Sequence, residues 1–100
     1  MEKHKIIIYP IAQNDLIEIV DYFNALSSDA AVKYYDLLVQ QICSLVEMPE
    51  RCPLVKDAQL RLRGYRTLLV KNYIVFYVVN ENTVEIRRIL YNRRQYDVLL

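Results

Sequence analysis

The hydrophobic period of this chain changes once, near Pro53, and that change limits the possible folds more than any other feature. From Ala12 to Leu26 the apolar residues Ala12, Leu16, Ile19, Val20, Phe23 and Leu26 recur at intervals of three and four, the spacing that lines one face of a helix. Asp15, Glu18 and Asp21 fall mostly off that stripe and read as solvent-facing. Ser27-Ser28-Asp29 offers short oxygen side chains that can satisfy the free N–H groups of a following helix. A second helix is expected from Asp29 to about Glu47, with Ala31, Tyr34, Tyr35, Leu38, Ile42, Leu45 and Val46 on one side and Pro49 ending it. The link between the two is short, so they form an antiparallel hairpin.

Beyond Pro53 the pattern is that of strands. Leu60 and Leu62, then Arg66, Leu68 and Val70, alternate with their neighbours and predict a strand ending near Lys71-Asn72. Tyr73 to Val79 is a continuous β-branched and aromatic run, as expected of a central strand covered on both faces. Asn80-Glu81-Asn82 is a turn, and Thr83 to Leu90 a last strand of a meander. With Lys5 to Tyr9 as a first strand, closed by Pro10 at the start of the first helix, the order is β-α-α-β-β-β. The fold class is α+β: a helical hairpin on one face of a small, mostly antiparallel four-stranded sheet. With 100 residues and no linker or repeat, positions 1–100 are expected to form a single domain. Residues 93–100 read as a short tail, with Tyr96 following Arg93-Arg94.

Several kinds of chemistry are excluded by what is scarce. Gly64 is the single glycine, so neither a phosphate-cradling loop nor a dinucleotide fingerprint can be built. One histidine, His4, and two cysteines, Cys43 and Cys52, give no metal-ligand spacing and no nucleophile with a histidine base in a recognisable motif. No metal and no cofactor is expected. The two cysteines read as free thiols in a reducing cytoplasm, since no disulfide framework accompanies them. The longest apolar run has seven residues, far short of the roughly 20 that span a bilayer, so no membrane partner is expected.

Charge, by contrast, is unevenly placed. Residues 1–60 hold five Lys/Arg against nine acids, whereas residues 61–94 hold eight against Glu81 and Glu85. Seven of those eight are arginine, the side chain suited to planar, bidentate contacts with anions. A basic half set off from an acidic half points to an acidic partner or a phosphate backbone.

Several segments together carry a resemblance. A-Q-N-D-L-I-E-I-V-D-Y in the first helix, A-A-V-K-Y-Y-D-L-L in the second, M-P-E-R-C-P after it, and N-Y-I-V-F-Y-V-V and R-I-L-Y-N-R-R-Q-Y in the last strands resemble the RelE/ParE superfamily of toxins. The resemblance runs over essentially the whole chain, and the ParE-like branch resembles it better. It implies the toxin component of a type II toxin–antitoxin system, neutralised by a cognate antitoxin. An apolar sheet beside dense arginine fits an antitoxin segment that brings aliphatic side chains and acids.

The branches of the superfamily imply different targets. ParE-like members have a long helical hairpin, an apolar central strand and a basic tail, and they bind DNA gyrase without chemistry of their own. RelE-like members cut mRNA on the ribosome without a metal and often read G-Y-R-L-V-Y in the central strand. This chain reads N-Y-I-V-F-Y, with Ile74 where that arginine would face the phosphate. If it were a ribonuclease, the resemblance would assign catalysis to Arg66, Arg93 and Tyr96, with Leu68 replacing a second basic position. Arg61, Arg63, Arg88 and Arg94 are the candidate contacts to the target or to RNA. Relatives with histidine at Tyr91 and an acid at Gln95 depart from this sequence there. A third reading is a homologue that only binds its antitoxin.

Overall fold

The computed structural model describes residues 3–92. A short strand β1 (Lys5–Ile8) leads through Tyr9 into α1 (Pro10–Leu26), whose first residue is the proline. Proline suits that position because its missing N–H would have had no helical partner there. Ser27 separates α1 from α2 (Ser28–Cys43), and its side chain accepts from the Ala30 N–H. Three strands complete the domain: β2 (Tyr65–Val70), β3 (Tyr73–Asn80) and β4 (Thr83–Tyr91). Lys71 and Glu81 take left-handed backbone angles in the two tight turns between them.

The strands lie in the order β1-β4-β3-β2. β2 pairs antiparallel with β3, and β3 with β4, while β1 joins β4 in parallel. The alternation of β3 divides the core. Tyr73, Val75 and Tyr77 point to the helical hairpin, where they meet Ala12, Ile19, Leu38, Ile42 and Leu45. Ile74 and Phe76 point to the other face, against Leu60, Tyr65 and Leu90. The central strand is therefore covered on both sides, as its unbroken apolar run predicts.

Two boundaries differ from the sequence reading. The second helix stops at Cys43 and tightens into a 3-10 turn (Ser44–Val46). Arg51 folds back to close that end, donating from Nη1 to the carbonyls of Ser44 and Glu47 at 3.1 and 2.9 Å. Carbonyls at a helix end have no intrahelical partner, and an arginine fork satisfies two at once. Pro49 begins the next 3-10 turn (Pro49–Arg51) instead of ending the helix, and Tyr35 stays 45% exposed.

The second correction concerns Leu60 and Leu62, which belong to a short helix α3 (Ala58–Leu62) and not to a strand. Asp57 accepts from the Leu60 N–H at 3.0 Å and starts the helix. Gly64, at a φ of 81°, turns the chain out of it and into β2. Leu60 is buried under the second face of the sheet, whereas Leu62 is 88% exposed. The alternation across residues 60–66 was thus a coincidence of two elements.

Candidate functional site: an open strand edge beneath the first helix

β1 is shorter than the strand it joins. Its register ends with Ile8 opposite Ile86, and Tyr9 then donates its N–H to the Ile86 carbonyl as the chain turns into α1. Among the described residues, β4 has no strand on that side from residue 87 to Tyr91, and α1 runs beside it instead. Arg87 is the extra residue of a bulge, since β3 partners pass from Arg88 at Phe76 to Ile86 at Tyr77. A bulge bends its strand and disturbs the local ladder.

Asp15 repairs the first part of this gap. Its Oδ2 accepts from the Ile89 N–H at 3.0 Å and from Arg88 Nε at 2.7 Å, while Oδ1 accepts from Arg88 Nη2 at 2.9 Å. Asp15 is only 6% exposed. A helix carboxylate thus takes the place of the missing strand carbonyl, with a bidentate guanidinium to balance its charge. The contact with Asp15 raises the pKa of Arg88, although its burial works the other way. Sequence reasoning placed Asp15 among solvent-facing acids. Nothing in the helical period marks it, because the groups it serves lie 73 and 74 residues further along the chain.

Beyond Ile89 no strand among the described residues pairs with this edge. The Asn92 N–H turns inward to the Asn72 carbonyl, so by strand alternation the Tyr91 N–H and carbonyl turn outward, as Ile89 does. Facing them is a groove of about 600 Å³, lined from α1 by Glu18, Ile19, Tyr22, Phe23 and Leu26 and from the sheet by Asn72, Tyr73 and Tyr91. Its wall is an aromatic stack. Phe23 lies parallel to Tyr34 at 3.9 Å between centroids, and Tyr73 meets Tyr91 edge-on at 5.6 Å. Burial, then the neighbouring phenols of Tyr34, Tyr22 and Tyr91, push the Tyr73 pKa up, so it stays a neutral donor. Tyr22 and Leu26 are 61% and 68% exposed along the rim. No solvent logic requires two large apolar side chains to sit together there.

The residues singled out by sequence do not gather in this groove. Arg61 and Arg63 are exposed at the end of α3 on the β2 side of the sheet. Arg66 is half-buried: its Nη1 donates to the Cys52 carbonyl at 2.6 Å and to the Glu50 carbonyl at 3.2 Å, with the Glu50 carboxylate 3.7 Å from Nη2. Arg66 stands opposite Tyr77 and Arg88 opposite Phe76. The Arg66 guanidinium is held by the 50–52 segment beside β2 and the Arg88 guanidinium by Asp15 of α1 beside β4, with β3 between the two strands, so the guanidinium groups do not converge. Ile74 is 6% exposed within the second core cluster. Arg93, Arg94 and Tyr96 lie outside the described residues. Among the described residues no three His, Cys, Asp or Glu side chains are grouped to hold a metal ion, and no helix is long and apolar enough to cross a membrane.

Another arginine of the basic half is also occupied. Arg87 Nη2 donates to Glu85 Oε1 at 2.9 Å, and its guanidinium lies 4.5 Å from the centre of the Tyr9 ring. Burial would raise the Glu85 pKa, but hydrogen bonds from Arg87, Asn80 and Tyr9 outweigh it and hold the carboxyl below its ordinary 4.5. A depressed carboxylate stabilises the fold above the ordinary value, and that stability is lost as pH falls through the folded value. We therefore expect Glu85→Gln to flatten the loss of stability below about pH 4.5 in urea titrations, with its main cost appearing near neutral pH. An acid limb as steep as that of the unaltered chain would refute this assignment.

Comparison with known proteins agrees with the fold. Residues 6–96 match the family described as "ParE toxin of type II toxin-antitoxin system, parDE". A solved structure titled "Chromosomal ParDE TA system from P. aeruginosa" superimposes with a TM-score of 0.75 at 21% identity, covering 89% of this chain and 96% of that one. No curated protein matches the chain.

Proposed function

The chain belongs to the ParE toxin family of type II toxin–antitoxin systems, and from that premise we propose that it arrests growth by binding DNA gyrase and is neutralised by a cognate antitoxin. The observation that carries binding over catalysis is the state of the two positions an RNA-cutting relative would need. Ile74 is packed in the core where a phosphate-facing arginine would stand, and an isoleucine gives no charge to a phosphorane. Arg66 commits Nη1 to the carbonyls of Glu50 and Cys52 and has the Glu50 carboxylate beside Nη2. Loss of a single donor to a developing oxyanion typically costs on the order of 100-fold in rate.

The target-binding surface in this reading consists of arginines. Arg61 and Arg63 supply one part, and Arg93 and Arg94, which follow Asn92 directly in the sequence, supply another. Arg88 belongs to the α1–β4 contact and is left out of the surface.

Purified protein should inhibit DNA supercoiling by gyrase and leave mRNA on programmed ribosomes intact. The variant Arg93→Ala/Arg94→Ala should relieve growth arrest while leaving the domain folded. Codon-positioned cutting lost in Arg93→Ala or Tyr96→Phe would make the chain an endoribonuclease. A folded double variant of unchanged toxicity would refute the cationic surface. Failure in both assays and no growth arrest would leave a protein that only binds its antitoxin.

A further inference from the structure

We infer that the tip of α3, Arg61-Leu62-Arg63, is an anchor on the protein that this chain arrests: Leu62 enters an apolar pocket of that partner, and the two arginines meet carboxylates at the pocket rim. The inference rests on reading the chain as a toxin that acts by binding, and it names one contact and its chemistry.

Three observations carry it. First, Leu62 serves nothing in the fold. It is 88% exposed, the largest value among the exposed large apolar side chains of the described residues. In this five-residue helix Leu60 points the other way, into the cluster with Tyr65, Ile74, Phe76 and Leu90. Ala58 and Leu62, four residues apart, share the outward face and are both exposed. Stability gains nothing from an outward leucine that a polar helix former would not supply equally.

Second, the tip is already held in one shape. Asp57 caps its start through the Leu60 N–H at 3.0 Å. At its end the Arg63 N–H donates to the carbonyls of Gln59 and Leu60 at 3.2 and 3.1 Å, and the Gly64 N–H to the Arg61 carbonyl at 2.9 Å. Buried Leu60 fastens the helix to the sheet. An anchor ordered before contact loses little freedom on association.

Third, the charge beside Leu62 is uncommitted. Among the described residues neither Arg61 nor Arg63 has an ion pair or a side-chain hydrogen bond, and both are exposed. Arg66, Arg87 and Arg88, by contrast, are fastened within the fold. Lys56, exposed just before the helix, adds a cation, whereas Asp57 is occupied by the cap. A phosphate backbone would draw on the guanidinium groups and gain nothing from a leucine between them. A protein surface with an apolar pocket rimmed by acids uses all three side chains. The partner at this tip is therefore a protein.

The test measures binding of the whole chain to purified gyrase, alongside growth arrest in cells. Leu62→Ala should weaken binding by ~10-fold or more, as truncating a central anchor does. Arg61→Ala/Arg63→Ala should weaken it by a similar factor and make it less sensitive to salt. Leu62→Met should keep most of the affinity. Leu62→Arg separates the two kinds of partner, since an added cation strengthens contact with phosphates and is excluded from an apolar pocket. Ile17→Ser, at a residue 58% exposed on α1 across the sheet, should change nothing. Urea midpoints of all these variants should match that of the unaltered chain, because every site is exposed. Unchanged gyrase binding by all the α3 variants overturns the inference and leaves the target reading standing. Tighter binding or stronger arrest by Leu62→Arg assigns the tip to nucleic acid and overturns it equally. Growth arrest without gyrase binding refutes gyrase as the target; the inference then stands if Leu62→Ala and Leu62→Arg relieve that arrest, and falls if they do not. Neither binding nor arrest by the unaltered chain refutes both.

Discussion

Asp15→Ala should be among the most damaging single substitutions in this chain, costing about 3–5 kcal/mol in urea unfolding, the usual range when one partner of a buried ion pair is removed. The reason is what it leaves behind. The Arg88 side chain is 13% exposed, and losing the bidentate carboxylate removes two charge-assisted hydrogen bonds from it in a poorly solvated place. The Ile89 N–H loses its acceptor at the same time. The double variant Asp15→Leu/Arg88→Met removes both charges and should recover much of the loss. It should still cost about 1–3 kcal/mol, because the Ile89 N–H stays unsatisfied. If Asp15→Ala were neutral, the carboxylate would not be the link that closes α1 onto the sheet edge.

Tyr77 is the second large effect expected. It is fully buried in the helix-facing core, and its hydroxyl donates to the Pro49 carbonyl. Burial, followed by a hydrogen bond with the Cys52 side chain, drives its pKa well above the ordinary phenol value, so the hydroxyl stays a donor at any physiological pH. Tyr77→Ala should cost ~3–5 kcal/mol, the range for removing a buried aromatic ring. Tyr77→Phe keeps the ring and should cost about 1–3 kcal/mol for the orphaned carbonyl. The two should differ in where they loosen the molecule. The phenylalanine variant should raise amide exchange chiefly around residues 48–52, the segment whose carbonyls hold Arg66. Equal costs for the two variants would mean that the hydroxyl, not the ring, dominates at this site.

The exposed arginines at the end of α3 and the half-buried ones on the strands illustrate why arginine counts alone do not locate a surface. Residues 61–92 are rich in arginine, yet Arg66, Arg87 and Arg88 all hold parts of the fold together, through carbonyls, Glu85 and Asp15. Within residues 61–92, exposure leaves Arg61 and Arg63 as the arginines facing solvent. Guanidinium is as well suited to fastening loops and edges as to binding phosphate. Only its neighbours in space distinguish the two uses.

The α+β order, the two-helix hairpin and the central strand are legible along the chain, because each is written in local periods of three-to-four or two that about a dozen residues suffice to display. Ser27 as a cap, Pro10 as a helix start and the Asn-containing turns are equally local. The placement of β1 was not legible: a four-residue strand carries no mark of its partner, and the parallel pairing with β4 joins residues nearly eighty positions apart. The length of β1 relative to β4, the bulge at Arg87 and the burial of Asp15 follow from that pairing. Together they open the groove and decide which arginines are free. These are matters of which groups meet across long separations, and the pattern along a chain holds no record of them until the sheet closes.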